Sequence, residues 1–349
     1  MHYPPVPIEG RLDWLDALKG FSILMVVMGH SLVDTGVESG NWMYGAMQTF
    51  RMPFFIMLAG IASGLVMLNK NTGFWSFIGT KLRSIILPYA CWILLFGFIF
   101  APAEQLLDYQ LNWRWEAFYQ GRDVLWFLPC LFALQVLYGI FRSLKNRFKL
   151  GLGSSLLLLT LMGALLYGAE QLWGKDSVPN EAGLAWISNA LRYYICYFLG
   201  ILIAEFKSLR DTLLNTRASI TICLLISLGF IGKVSGVSRE LTPLTMASLL
   251  TGCAMGTLFI RFICSHKLPA LIQNQLIFLG KNTLIIYIAG SMFQERPLNM
   301  FPQFNGSESL LIFGGIALII CYCCSLLGKF IELSSLLSTL LLGKKYRKS

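Results

Sequence analysis

Charge is scarce in this chain. Of 349 residues, 28 are Lys or Arg and 18 are Asp or Glu, 13% together, against about a quarter in an ordinary soluble domain. A soluble surface of the usual kind cannot be built from so few. Histidine is scarcer still, with only His2, His30 and His266. His2 is terminal and His266 falls in a loop, so neither carries a catalytic expectation. A cleavable leader is also missing from the pattern. Residues 1–13 are polar and Pro-rich, and the first apolar stretch carries Lys19 and His30, which the uncharged h-region of a signal peptide would not. No internal repeat and no low-complexity linker is visible. The nine cysteines lie almost entirely within apolar runs. They read as small buried hydrophobes, not as a disulfide framework or a metal set, and no metal is expected.

What is present is apolar: 56% of the residues are hydrophobic, gathered into long runs. The pattern predicts an all-α, polytopic membrane bundle of about ten transmembrane helices, at 14–33, 52–68, 84–102, 124–141, 150–169, 186–204, 218–232, 244–263, 276–293 and 310–328. The domain plan is a short tail (1–13), one transmembrane domain (14–328) and a basic tail (329–349). Alternating the loops between two sides places twenty of the basic residues on one side and eight on the other. Basic loops stay cytoplasmic, so both termini are expected inside. The net charge of +10 is then mostly this asymmetry, and a nucleic-acid partner is not expected. Membrane lipids are the partners that this composition leads one to expect.

The first span is unusual because it carries Asp16, Lys19 and His30. Ionisable groups are costly in hydrocarbon and usually face a protein interior or a watery cavity where they have work to do. Eleven residues turn an ideal helix through about 1100°, three turns and roughly 20°. Lys19 and His30 therefore share a face, about 16 Å apart along the axis, with Lys19 toward the cytoplasm and His30 toward the outside.

Around these residues run Arg11-Leu12-Asp13-Trp14-Leu15-Asp16-Ala17-Leu18-Lys19-Gly20 and, after an apolar run, Gly29-His30. Further on come Phe50-Arg51-Met52-Pro53-Phe54-Phe55 with Ala59-Gly60, then Leu125-Trp126-Phe127-Leu128-Pro129. Leu279-Gly280-Lys281-Asn282-Thr283 leads to Tyr287, and Leu342-Gly343-Lys344 stands near the end. In this order the phrases resemble membrane acyltransferase family 3, which includes sugar and polysaccharide O-acetyltransferases and relatives of fucose 4-O-acetylase. Three departures stand out. Thr80-Lys81-Leu82-Arg83 keeps one arginine of the usual R-x-x-R, Ala59 replaces a usual Ser, and Gly290 stands where many relatives have His. The chain is also too short for the extracytoplasmic esterase-like domain that some relatives carry.

The resemblance implies an O-acyltransferase of the bacterial cytoplasmic (inner) membrane. It would move an acetyl group from cytoplasmic acetyl-CoA to a hydroxyl of a surface glycan or its lipid-linked precursor. His30 is the expected general base, because neutral imidazole suits that task near pH 7. Asp34, four residues on, is placed to orient the ring. Lys19 is expected at the acyl donor, with Asp13 and Asp16 orienting it. Lys81, Arg83 and Lys281 are expected at the phosphates of acetyl-CoA, with the loop 142–149 as a further basic patch. Lys281, inside an apolar run, is expected to need a partner. On the outer side, Arg51 is expected near the acceptor's phosphate or hydroxyls, and Trp113 and Trp115 offer faces for sugar stacking. Asn282 and Thr283 are expected to hydrogen-bond between helices, and Arg192 in span six to face inward or snorkel. The rival reading is a small-anion transporter using Lys19, His30 and Arg51 as a polar pathway. A non-enzymatic membrane sensor or assembly partner is a second rival.

Overall fold

The computed structural model describes residues 13–34, 42–69, 73–99, 125–173, 184–209, 243–265, 268–294 and 308–345. All the regular structure among them is helical. The helices are α1 (Asp13–Asp34), α2 (Trp42–Asn69), α3 (Phe74–Lys81), α4 (Leu87–Ile99), α5 (Phe127–Phe148), α6 (Leu152–Trp173), α7 (Ala185–Glu205), α8 (Pro243–Ser265), α9 (Ala270–Lys281), α10 (Thr283–Gln294), α11 (Glu308–Glu332) and α12 (Ser335–Leu342). A π-helical turn, Leu82–Ile86, joins α3 to α4. Helix is the form in which an apolar segment satisfies every backbone N–H and C=O internally, as a bilayer requires.

Among the described residues, six stretches are long and apolar enough to cross a membrane: Thr49–Val66, Phe74–Leu95, Phe127–Phe148, Leu152–Trp173, Ala185–Glu205 and Ile312–Glu332. The chain is an all-α helical membrane bundle. The details differ from the ten expected spans. The span expected at 218–232 lies outside the described residues. α1, which carries Asp13, Asp16 and Lys19, is not among the six. The span expected at 276–293 is not one helix but two, parted at Asn282. There the Asn282 side-chain amide donates to the Phe278 carbonyl at 2.9 Å and the Thr283 hydroxyl to the Gly280 carbonyl at 2.6 Å. Both side chains serve their own backbone, correcting the expectation that they bond between helices. Polar side chains that compete for local carbonyls end helices in this way.

The described helices fall into two compact units, Met1–Lys70 with Cys196–Gly328, and Asn71–Ile195 with Lys329–Ser349. In the first unit, α1 packs most extensively on α9 and also on α2 and α10, while α8 packs on α2. The α1–α9 crossing is backbone to backbone. A Cβ added to Gly20 would lie 1.9 Å from the Leu276 carbonyl oxygen, and one added to Gly280 would lie 1.8 Å from that of Asp16. Lipid tails are as apolar as leucine, so helices in membranes gain from close backbone approach over small residues. Rings fill the space beside this crossing. Phe21 stacks on Phe259 at 4.2 Å and Phe50 on Phe54 at 4.9 Å between centroids.

In the second unit, Phe74 and Phe77 of α3 close over Gly139 of α5, and Tyr194 of α7 donates its hydroxyl to the Leu159 carbonyl of α6 at 2.8 Å. α6 leaves Leu157, Leu161 and Leu165 exposed, as a lipid-facing helix does. Residues 335–342 form α12, which packs on α4, and the Trp92 indole donates to the Leu341 carbonyl at 3.0 Å.

Candidate functional site

The opening helix places the first group. Asp13 and Asp16 occupy its first turn, where carboxylates complement the exposed N–H groups of a helix start. Asp16 is buried, and its Oδ1 lies 3.6 Å from Lys19 Nζ. The pair sits one turn apart on α1, at the level where Gly280 of α9 touches the Asp16 backbone. A buried carboxylate needs a compensating cation, so Asp16 fixes where the Lys19 ammonium stands. Lys19 keeps about a quarter of its side chain exposed, enough to meet a ligand while held by Asp16. One turn further along, Ser22 is fully buried and its hydroxyl has no hydrogen-bond partner among the described residues. It is a polar atom left open between the lysine and the histidine.

His30 lies eleven residues beyond Lys19 on the same helix and is partly buried. Arg51 comes against it from α2. With the second span expected to begin at residue 52, Arg51 falls just before it, on the outer side. Instead it sits in the third turn of α2, 6% exposed. Its guanidinium occupies the notch left by Gly29, where an added Cβ would lie 2.0 Å from Arg51 Nη1. Spacing alone could not find this contact, because α1 and α2 meet through tertiary packing. The one sequence signal was the glycine directly before the histidine. Asp34 ends α1, with its side chain outside the described residues. Trp113 and Trp115 lie outside them entirely.

The other basic candidates are placed differently. Lys281 is exposed at the break between α9 and α10. The expectation that it needs a buried partner is therefore corrected: the helix ends there and leaves the ammonium outside. The expected loop 142–149 is the last turns of α5, closed by Lys149 in the left-handed region at φ 49°. Arg142 in those turns meets the Tyr138 hydroxyl at 3.4 Å. Lys81 and Arg83 belong to the second unit. Lys81 Nζ lies 5.2 Å above the Phe77 ring. Arg83 stands in the π-turn, and its buried Nε has no hydrogen-bond partner among the described residues. π-turns recur at functional sites because they re-aim a side chain that a regular helix would point elsewhere. Arg192 lies over Tyr193, 5.7 Å from guanidinium carbon to ring centroid, and Tyr193 stacks on Trp126.

The π-turn is held from the C-terminal side. Gly343 ends α12 at φ 63°, and an added Cβ there would lie 2.5 Å from Ser84 Cα and 2.8 Å from the Arg83 carbonyl oxygen. The left-handed conformation alone costs an L-residue roughly 1–2 kcal/mol, and backbone atoms cannot yield to a methyl group. Gly343→Ala is expected to lower the thermal midpoint of the detergent-solubilised protein by several degrees. An unchanged midpoint would show that the C-terminal segment does not brace the turn.

Comparison with known proteins bears on what this arrangement does. No curated protein matches the chain. A family model described as an acyltransferase domain, that of membrane acyltransferase family 3, matches residues 12–329. That interval takes in the Asp16–Lys19 pair, His30, Arg51, the Arg83 turn and the α9–α10 break, and all but the last turns of the helical bundle. The chain therefore belongs to membrane acyltransferase family 3 and is an acyltransferase.

Proposed function

We propose that the protein is an integral-membrane O-acyltransferase that moves an acetyl group from cytoplasmic acetyl-CoA to a sugar hydroxyl of a surface glycan or its lipid-linked precursor. One observation carries the reading. In a chain of an acyltransferase family, a paired lysine and a partly buried histidine stand on one stripe of α1, with a buried arginine packed beside the histidine.

His30 serves as general base in this account. Its ring takes the proton of the attacking sugar hydroxyl as oxygen closes on the acyl carbon, a role worth about 10²–10⁴ in rate. Lys19, held by Asp16, contacts the donor near the cytoplasmic face. The separation of Lys19 and His30, about 16 Å along an ideal helix, is of the order of an extended pantetheine arm. The donor need not cross the membrane for its acyl group to reach the base. The unsatisfied hydroxyl of Ser22 on the way suits a pantetheine amide. Arg83, with Lys81, is the phosphate contact. Asp34 orients the imidazole, Trp113 and Trp115 meet the acceptor, and Lys281 is a lesser donor contact because it is exposed. Both termini are cytoplasmic, which sets the donor side. The family match favours transfer over the anion-transporter reading, although a broken helix is a device that transporters also use.

The test is acyl transfer by the purified full chain in nanodiscs. Acetyl-CoA is supplied with a panel of methyl glycosides, and thiol release and sugar ester are measured together. Equal yields of thiol and ester support the reading, whereas solute movement without thiol release would overturn it. Within this assay Arg83→Ala is expected to raise the KM for acetyl-CoA about tenfold, the weight of one charge-assisted hydrogen bond. An unchanged KM would move the phosphate contact elsewhere.

A further inference from the structure

Arg51 is the most heavily buried cation described in the first unit, and its position is not explained by acceptor binding at a membrane edge. It is the backbone of α1 that gives it room. Gly29 presents no side chain, and Arg51 Nη1 fills the space where one would stand, directly beside the residue that carries the imidazole. A cation fixed beside the residue that carries a general base is placed to receive negative charge that develops on an acyl oxygen during transfer.

We infer that Arg51 is a catalytic residue that holds the oxyanion of the tetrahedral intermediate, and that Gly29 is the positioning residue that admits it. This rests on the reading of His30 as base. The step balances as follows. The sugar oxygen bonds to the acyl carbon and its proton passes to the His30 ring, while the carbonyl π pair moves onto the carbonyl oxygen, which Arg51 receives as O⁻. When that pair returns, the carbon–sulfur bond breaks. Sulfur leaves with the bonding electrons and takes the proton back from the imidazolium, giving ester and free thiol. Nothing is oxidised or reduced. A preset donor aimed at the developing oxyanion is worth about 10²–10³ in kcat, and a guanidinium presents N–H groups in a fixed fork.

The two residues predict a signature that neither acceptor binding nor plain packing shares. In nanodiscs, with acetyl-CoA and whichever methyl glycoside the wild type accepts, Arg51→Ala is expected to lower kcat about 10²–10³-fold. KM should stay within a few-fold for both substrates. Gly29→Ala displaces only the far end of a flexible side chain, so it is expected to fold and to lower kcat comparably. The double variant is expected to be no slower than Arg51→Ala, because the second change removes nothing that remains. Arg51→Lys, which keeps the charge but loses the fork, is expected to fall between, and its kcat-against-KM split decides the matter if Arg51→Ala does not fold. A raised acceptor KM with unchanged kcat would assign Arg51 to acceptor binding and overturn the inference. Additive losses in the double variant would reduce Gly29 to packing and overturn it equally. Transfer surviving His30→Ala would instead overturn the proposed base.

Discussion

Replacing His30 with alanine is expected to lower acyl transfer by three orders of magnitude or more while leaving the protein as abundant and as monodisperse as the wild type. The rate expectation follows from its place in the mechanism: general-base assistance is worth about 10²–10⁴, and a thousandfold loss corresponds to about 4 kcal/mol of barrier. The stability expectation follows from its surroundings. His30 is only partly buried, unlike Leu18, Ile23 and Val27 of the same helix, so its removal opens no closed core. His30→Gln keeps the size and a hydrogen-bonding head without the basicity. It is expected to be as inactive as His30→Ala. Activity in the glutamine variant would mean that the ring only positions the acceptor.

The largest effect on stability is expected not at a charged residue but at Gly280. Its Cα lies against the Asp16 backbone, and a methyl group there would come 1.8 Å from a carbonyl oxygen. The obstacle is a peptide group in the first turn of α1, so the two helices must separate. Overpacking a tight site typically costs about 1–3 kcal/mol and occasionally more. Gly280→Ala is expected at or beyond the top of that range, because α1–α9 is the most extensive crossing of its unit and also carries the Asp16–Lys19 pair. The measurement is size-exclusion behaviour and the thermal midpoint in mild detergent, where the variant should aggregate or melt far below the wild type. Gly315 of α11 is the control, since nothing lies within 4 Å of a Cβ added there. Gly315→Ala is expected to leave both readouts unchanged. Similar behaviour of the two variants would show that the crossing does not set stability.

The stripe of α1 was legible in the sequence because it needs only the helical repeat and the cost of charge in an apolar run. The i,i+3 spacing of Asp16 and Lys19 likewise foretold their pairing, which is found at 3.6 Å. What the residues of one segment cannot express is how two segments meet. Gly20 and Gly280 are far apart in sequence and touch through their backbones, yet each alone reads as an ordinary glycine in an apolar run. Arg51 looked like the polar edge of a span because charge normally marks a helix end. Only the vacancy at Gly29 explains how α2 continues past it with the guanidinium indoors. The break at Asn282 escaped hydropathy because the residues on either side are equally apolar, while the cause is the local hydrogen bonding of two side chains. The π-turn at Leu82–Ile86 left no mark in the periodicity, since five residues shift the helical register too little to be seen in an apolar window.

In the proposed reaction the acyl donor's thiol end is delivered to His30 along the face of α1 that begins at Lys19. A structure of the full chain in nanodiscs with coenzyme A bound tests this most directly. The sulfur is expected within contact distance of the imidazole, the pantetheine arm passing Ser22, and the phosphates beside basic side chains at the Lys19 end. Coenzyme A bound with its sulfur remote from His30, or an imidazole turned toward lipid, would contradict it.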